Sequence, residues 1–134
     1  MITYKEFGSE LIERVKEIYA SEGWTAYLHD DEKLIRAYDN SLYTLGAFDG
    51  DVLIGLVRCV GDGEHVILVQ DLIVDGNYQR QGIGTKLMKL AGEKYADVRM
   101  FQVNTDLEDV RDNEFYKSIG MKPFVEGHMI SYFR

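Results

Sequence analysis

Residues 72–90 read LIVDGNYQRQGIGTKLMKL, which is the end of an apolar strand, a glycine-containing loop and the start of a helix. Over 82–95 the spacing is typical of an amphipathic helix, whose shared apolar face holds Ile83, Leu87, Leu90 and Ala91. The first turn of a helix exposes N–H groups at the positive end of its dipole, where phosphate binds well. Gly82 and Gly84 lack a Cβ, so a diphosphate can approach the backbone closely. The stretch therefore predicts a diphosphate site.

Two common nucleotide motifs do not fit this loop. A nucleotide P-loop requires Gly-x-x-x-x-Gly-Lys-Ser/Thr, but here five residues separate the glycines and Ile83 stands where the lysine belongs. The dinucleotide fingerprint requires a glycine where Leu87 stands. Arg80 and Lys86 add positive charge at the rim of the loop, so an anionic ligand of another class is expected.

The hydrophobic pattern on either side of the loop predicts a mixed sheet with helices on both of its faces. The predicted strands are Tyr4–Phe7, Leu42–Phe48, Val52–Val60, His65–Val74, Arg99–Val103, Met121–Val125 and Met129–Phe133. The predicted helices begin at Ser9, at Asp30, at Gly82 and at either Asp109 or Asp112. This order gives a single α/β (α+β) domain, 1–134, with six to seven strands and about four helices.

Composition indicates a globular domain and excludes several classes of function. The chain has 134 residues, 46% of them apolar, which suits one packed core. No apolar run approaches the ~20 residues that span a bilayer, and the start lacks the pattern of a signal peptide. Cys59 is the only cysteine, so no disulfide or zinc cluster is expected, and we expect a cytoplasmic protein without a metal. The net charge of −8 disfavours nucleic acid as a partner.

Two segments carry a family resemblance. The loop resembles the acyl-CoA-binding signature of the GNAT acetyltransferase superfamily, Arg/Gln-x-x-Gly-x-Gly/Ala, with Gln79, Gly82 and Gly84 in its defined positions. Residues 115–121, FYKSIGM, resemble that family's Phe-Tyr-x-x-x-Gly-Phe segment, with methionine in the last place. The resemblance extends over nearly the whole chain and is most specific over 66–125.

The resemblance implies acetyl-CoA as cosubstrate, held where the central sheet splays open beside the strand that precedes the loop. The residues expected to hold pantetheine through their backbone are Leu72, Ile73 and Val74. The residues expected around the diphosphate are Gln79, Arg80, Gln81, Gly82, Ile83, Gly84 and Thr85. The backbone N–H of Leu72 is then expected to polarise the thioester carbonyl as an oxyanion donor.

The resemblance also implies direct attack of an amine on acetyl-CoA in a ternary complex, with Tyr116 as general acid for the departing thiolate. Alternatively, Tyr116 is only an aromatic residue of an amphipathic helix. Asp71 is either the general base or a buried hydrogen-bonding residue that shapes the split in the sheet. Further candidates for the base are Glu64, Gln70, Glu126 and His128. Relatives often carry Asn and Ala where this chain has Asp109 and Asp112.

In this fold the acceptor pocket is expected between the first two helices and the last hairpin, which points to Trp24, Tyr27 and Glu126. Aromatic rings and carboxylates suit an organic cation, although the two rings alternatively cap the core. We therefore expect transfer to a primary amine of a small molecule. The alternatives are acetylation of lysine or N-terminal amines in proteins, or a non-catalytic acyl-CoA-binding regulatory module. The resemblance also makes a homodimer an assembly to expect.

Overall fold

Five strands form one mixed sheet in the order β1-β2-β3-β4-β5 in the computed structural model, which describes residues 1–134. The strands are β1 Ile2–Glu6, β2 Tyr43–Asp49, β3 Val52–Gly61, β4 Val66–Val74 and β5 Met100–Val103. The α-helices are α1 Ile12–Ser21, α2 Asp31–Asp39, α3 Ile83–Lys94 and α4 Val110–Ser118. Successive strands from β1 to β4 pair antiparallel, and β5 pairs parallel with β4. No helix is long and apolar enough to cross a bilayer.

Helix starts follow the predicted caps with one exception. The Asp30 side chain accepts a hydrogen bond from the Lys33 N–H at 3.1 Å. Asp109, the first of the two candidates, accepts from the Asp112 N–H at 2.9 Å and begins α4. Ser9 is the exception, because it opens a short 3₁₀ turn ahead of α1 and its hydroxyl donates to Asp39 instead.

The helices cover both faces of the sheet, as predicted. Successive residues of a strand point to opposite faces, so Arg58 and Cys59 of β3 mark the two sides. The Arg58 guanidinium lies over the ring of Tyr38 on α2, 5.1 Å from its centroid. Cys59 pairs in register with Tyr43, whose ring packs edge-on against Tyr95 at the end of α3. Hence α2 covers one face and α3 the other.

Cys59 is a core residue, as expected from its apolar strand. Its side chain is fully buried, and burial raises the pKa of the thiol to about 12. A thiol with such a pKa stays protonated at neutral pH, so Cys59 is not a nucleophile.

Strand β4 contains a bulge and then leaves its parallel neighbour. Arg58 pairs with Asp71 whereas Cys59 pairs with Val69, so Gln70 is an extra residue on β4. The ladder between β4 and β5 ends at the pair Val69–Val103, while β4 itself continues to Val74. We refer to Gln70–Val74, the part of β4 beyond this ladder, as the open segment.

The predicted count of six to seven strands is too high, although the mixed sheet with four α-helices confirms the fold class. Neither Met121–Val125 nor Met129–Phe133 forms a strand. Pro123, which has no N–H to donate to a ladder, instead begins a 3₁₀ helix over Phe124–Gly127. Local hydrogen bonds then use the backbone, such as the Met129 N–H to the Phe124 carbonyl at 3.0 Å.

The chain forms two compact units, Met1–Val103 and Asn104–Arg134. The first unit contains the whole sheet and α1 to α3, with a core that includes Ile18, Phe48 and Leu56. The second contains α4 and the 3₁₀ helix, and its α4 has no fully buried residue.

Candidate active site

The N-terminus of α3 is open to an anion. Gly82 precedes the helix in the left-handed region, with φ of 78°, and no side chain caps the helix. The first turn contains no acidic residue, and the Lys86 N–H is bonded to the Gly82 carbonyl at 3.0 Å. The N–H groups of Ile83, Gly84 and Thr85 therefore belong to an uncapped first turn at the positive end of the dipole.

Side-chain hydrogen bonds hold the loop between β4 and α3. Gln79 donates from Nε2 to the Val74 carbonyl at 3.0 Å and to Glu22 Oε1 at 2.6 Å. The Tyr78 hydroxyl donates to Asp49 Oδ2 at 2.7 Å. Gln79 was predicted to bind the cofactor, and in the structure its amide fastens the loop to α1 and to the end of β4.

Asp75 fixes the turn where β4 ends. Its carboxylate accepts hydrogen bonds from the Asn77 N–H at 2.9 Å and from Arg14 at 2.7 Å. The Asn77 N–H and, more weakly, the Arg14 charge hold the pKa of Asp75 below its ordinary value. Arg14 also donates from Nε to the Leu53 carbonyl at 2.8 Å, so one side chain joins α1, β3 and this turn.

Basic residues surround the loop. Arg80, Lys86 and Lys89 are all exposed, as is Gln81. Arg80 has a φ of 65°, which is uncommon for a residue with a Cβ and costs roughly 1–2 kcal/mol. Such strain persists only where the surroundings hold the backbone, and it occurs most often at ligand sites.

Backbone groups of the open segment alternate between β3 and the opposite edge. The Asp75 N–H donates to the Ile54 carbonyl at 2.8 Å, so this pair is hydrogen-bonded. In an antiparallel ladder the hydrogen-bonded pairs recur at every second residue. Ile73 therefore faces β3 with its backbone groups, whereas Leu72 and Val74 turn theirs to the opposite edge. Of the three residues predicted to hold pantetheine, only these two present backbone groups there.

A buried ionic cluster lies under the open segment. Asp71 and Arg58 are 2% and 4% exposed, and Arg58 Nε donates to Asp71 Oδ2 at 2.6 Å. The hydroxyls of Tyr19 and Tyr27 donate to Asp71 at 2.8 and 2.7 Å. Tyr38 shares a 2.6 Å hydrogen bond with Tyr19. We call these five residues the tyrosine–aspartate cluster.

The environment of the cluster keeps its tyrosines neutral and Arg58 charged. Burial, followed by the Asp71 charge, raises the pKa of Tyr19 and of Tyr27 above the ordinary value. Burial lowers the pKa of Arg58, but the Asp71 charge and hydrogen bond, together with the neighbouring tyrosines, raise it, so the net pKa lies above the ordinary value. At neutral pH Arg58 is therefore a cation and the three tyrosines are neutral phenols, of which Tyr19 and Tyr27 donate to Asp71.

Of the two roles left open for Asp71, the geometry favours the hydrogen-bonding one. Both of its carboxylate oxygens accept hydrogen bonds from buried or half-buried donors. A general base must reach the proton that it takes. The Asp71 carboxylate is only 2% exposed and both of its oxygens already accept hydrogen bonds, so it is poorly accessible to the proton of an amine. The sequence reasoning did not include Arg58, although a charged residue inside an apolar strand signals a buried partner.

Trp24 and Tyr27 pack against the core while remaining half-buried. Their rings stack on Tyr19, with centroid distances of 5.7 and 4.8 Å. Each ring therefore has one part that packs on the core and another part that faces solvent.

The second unit carries the remaining predicted residues. Tyr116 lies half-buried on α4 with its ring 5.1 Å from that of Phe115. Burial, followed by the charges of Asp112 and Asp109, raises the pKa of Tyr116 to about 12. Glu126 is exposed within the 3₁₀ helix and not on a hairpin. Tyr116 is thus a protonated phenol at neutral pH, as a proton donor must be.

A family model described as the Acetyltransferase (GNAT) family matches residues 9–121. The chain belongs to the GNAT acetyltransferase family. It is an acyl-CoA-dependent N-acetyltransferase. No curated protein sequence matches the chain.

Solved structures of other GNAT proteins share the fold. A GNAT-family acetyltransferase from Streptococcus pneumoniae is 37% identical, with a TM-score of 0.87 over 100% of this chain and 97% of that one. The PaiA N-acetyltransferase from Thermoplasma acidophilum, solved with coenzyme A, is 20% identical, with a TM-score of 0.74 over 91% and 90%. An aminoglycoside acetyltransferase from an uncultured soil sample, solved with sisomicin, is 20% identical, with a TM-score of 0.73 over 99% and 95%.

Within this GNAT enzyme, the loop and the open segment are consecutive parts of one chain segment. Gln79 joins them directly through its hydrogen bond to the Val74 carbonyl. The tyrosine–aspartate cluster anchors the other end of the open segment through Asp71. Both ends of the open segment are therefore held by side chains of the first unit.

Proposed function

We propose that this enzyme transfers the acetyl group of acetyl-CoA to a primary amine of a small molecule, by direct attack in a ternary complex. The proposal rests on one observation: the open segment is followed along the chain by the uncapped N-terminus of α3. The segment offers backbone groups beside a parted sheet edge, and the helix offers N–H groups to an anion.

The residues present fit coenzyme A. Its diphosphate would be held by the uncapped first turn of α3, Ile83 to Thr85, with Arg80 nearby as a source of positive charge. Its pantetheine arm would be held by the backbone groups of Leu72 and Val74, which β3 does not use. Bound acetyl-CoA supplies an activated acetyl thioester.

Three tasks then fall to the chain's own residues. The Leu72 N–H stabilises negative charge on the carbonyl oxygen, because a fixed donor in a site without water acts strongly on developing charge. Tyr116 donates a proton to the leaving sulfur, which needs a phenol that is still protonated at the working pH. The attacking nitrogen releases its proton to solvent, and solvent returns one to Tyr116. Orientation of both reactants in adjoining sites supplies a further large part of the rate.

We propose that the acceptor amine contacts the exposed parts of Trp24 and Tyr27. Glu126 is proposed separately as a carboxylate that attracts the amine. Aromatic faces and a carboxylate attract an organic cation before it loses its proton. The sisomicin complex of the soil aminoglycoside acetyltransferase supports a small-molecule amine, since that protein has the same fold. The family model extends from residue 9 to 121 across both compact units, which supports a single functional domain.

A thiol-release assay with acetyl-CoA and a panel of acceptors tests the proposal. The panel contains aminoglycosides, polyamines, arylalkylamines and lysine-containing peptides, each at several concentrations, with product masses checked. We expect saturable thiol release with at least one small amine and a product heavier by one acetyl group. Release with peptides alone would replace the small-molecule acceptor by a protein one.

A further inference from the structure

Gln70 is the extra residue at the bulge of β4, where that strand leaves β5. The two bulge residues Gln70 and Asp71 both oppose Arg58, and both reach the hydroxyl of Tyr27. Asp71 is buried beneath the strand, whereas the Gln70 side chain is exposed. Gln70 thus joins the tyrosine–aspartate cluster while remaining accessible to a ligand.

The direction of each hydrogen bond around Tyr27 is fixed by its partners. A tyrosine has one hydroxyl proton, and the Asp71 carboxylate paired with Arg58 can only accept, so Tyr27 donates to Asp71 at 2.7 Å. The Tyr27 oxygen then accepts from its other neighbours, which are Arg58 Nη2 at 3.4 Å and Gln70 Nε2 at 3.2 Å.

This arrangement fixes the amide of Gln70. If the amide were turned over, its carbonyl oxygen would face the lone pairs of the Tyr27 oxygen, whose proton is already given to Asp71. The amino group of Gln70 therefore faces Tyr27, and its carbonyl oxygen Oε1 faces away from the cluster. A hydrogen-bond acceptor of fixed orientation results, two residues before Leu72 on the open segment.

We propose that Gln70 is the residue that positions the acceptor amine, by accepting a hydrogen bond from its N–H through Oε1. This inference rests on the proposed amine acetylation. Tyr27, Asp71 and Arg58 are positioning residues that act through Gln70. A neutral amide oxygen binds an amine N–H without the strong preference for the ammonium form that a carboxylate has. Gln70 therefore leaves the bound amine free to lose its proton and attack the thioester in its neutral form.

Steady-state kinetics of Gln70→Ala test this role. We expect KM for the amine to rise about fivefold, the loss of one hydrogen bond of about 1 kcal/mol, with little change in kcat. The dissociation constant for coenzyme A and the melting temperature should remain unchanged, since the side chain is exposed. Thr3→Ala, an exposed polar residue on β1 at the far edge of the sheet, is the matched control.

Two further variants distinguish positioning from a general structural effect. Tyr27→Phe should raise KM by itself, but adding Gln70→Ala to it should raise KM less than Gln70→Ala does in the wild type, because the free amide is already misoriented. Gln70→Glu should shift the acidic limb of the kcat profile to higher pH, because a carboxylate stabilises the ammonium form of the bound amine.

The failure of this inference is distinguishable from the failure of the proposed function. If the wild-type enzyme is active but Gln70→Ala and Thr3→Ala have the same KM for the amine, the role of Gln70 is overturned and the proposed function stands. A loss of coenzyme A affinity equal to the rise in KM overturns it as well. A wild-type protein that acetylates no amine removes the proposed function and this inference together.

Discussion

Replacing Asp71 by asparagine removes the charge that compensates Arg58 while keeping the shape of the side chain. Asp71 is 2% exposed and accepts hydrogen bonds of 2.8, 2.7 and 2.6 Å from Tyr19, Tyr27 and Arg58. In asparagine one of the two oxygens becomes an amino group, which would face a donor. Arg58, 4% exposed, would remain as a buried cation without its carboxylate.

The expected loss follows from that geometry. Breaking a buried ion pair by removing one partner costs about 3–5 kcal/mol, a large share of the roughly 5–15 kcal/mol that stabilises a domain. For a chain of this length the melting temperature should fall by about 10–20 °C. Circular dichroism during heating, supported by urea unfolding, measures the change.

The control is an ion pair of the same charge on the surface. Lys89 Nζ and Glu93 Oε1 are 4.0 Å apart, and the side chains are 65% and 60% exposed. Glu93→Gln should change the free energy of unfolding by less than about 0.5 kcal/mol. The double variant Asp71→Asn/Arg58→Met should recover part of the Asp71→Asn loss, because the uncompensated charge is removed. An Asp71→Asn protein within about 1 kcal/mol of the wild type would refute the assignment of Asp71 as the compensating group.

Three other changes are expected to act on separate parts of the enzyme. Gly82→Val, at a φ of 78° with no atom within 4 Å of the added Cβ, should cost about 1–2 kcal/mol of stability and weaken coenzyme A binding in calorimetry. Gly50→Val, at a φ of 60° and equally free of contacts, should cost the same stability without changing that affinity, and equal affinities in both would contradict the loop assignment. Tyr116→Phe should lower kcat about 10²- to 10⁴-fold with unchanged coenzyme A binding, and a variant that retains the wild-type kcat would exclude Tyr116 as the acid. Since the pKa of Tyr116 is raised to about 12, the wild-type kcat should show no alkaline decline from this group below about pH 11. Because the pKa of Asp75 is lowered in the folded state, its carboxylate stabilises the fold at pH values above its unfolded pKa of about 3.9, and this stability is lost as the pH falls. Melting temperatures should therefore drop more steeply below pH 4 in the wild type than in Asp75→Asn. Parallel curves for the two proteins would exclude this contribution.

The sequence predicted local features well because their causes are local. The turn between the predicted strands Leu42–Phe48 and Val52–Val60, the Asp30 cap and the start of α3 each depend on a few neighbouring residues. Each lies where it was expected. The error in strand count also has a local cause. Pro123 interrupts the apolar run of 121–125, and the periodicity argument gave it no weight.

The tyrosine–aspartate cluster was not predictable in the same way. Tyr19 and Asp71 are 52 positions apart, and Tyr27 and Asp71 are 44 apart, so no spacing rule joins them. Sequence reasoning reduced Asp71 to two alternatives, but choosing between them needs its burial and its donors. The orientation of the Gln70 amide depends in turn on the proton that Tyr27 gives to Asp71.

The bulge at Gln70 connects the two halves of the site. In a strand without the extra residue, Asp71 would lie on the same face of the sheet as Val69. Arg58 would then oppose Gln70 and not Asp71. The extra residue shifts the pairing by one, so Asp71 and Ile73 turn to the face of α1 and α2 and pair with β3. The same shift leaves the backbone groups of Leu72 and Val74 at the edge beyond the β5 ladder. A single inserted residue therefore both buries the carboxylate that fixes Gln70 and exposes the amides proposed to hold the cosubstrate.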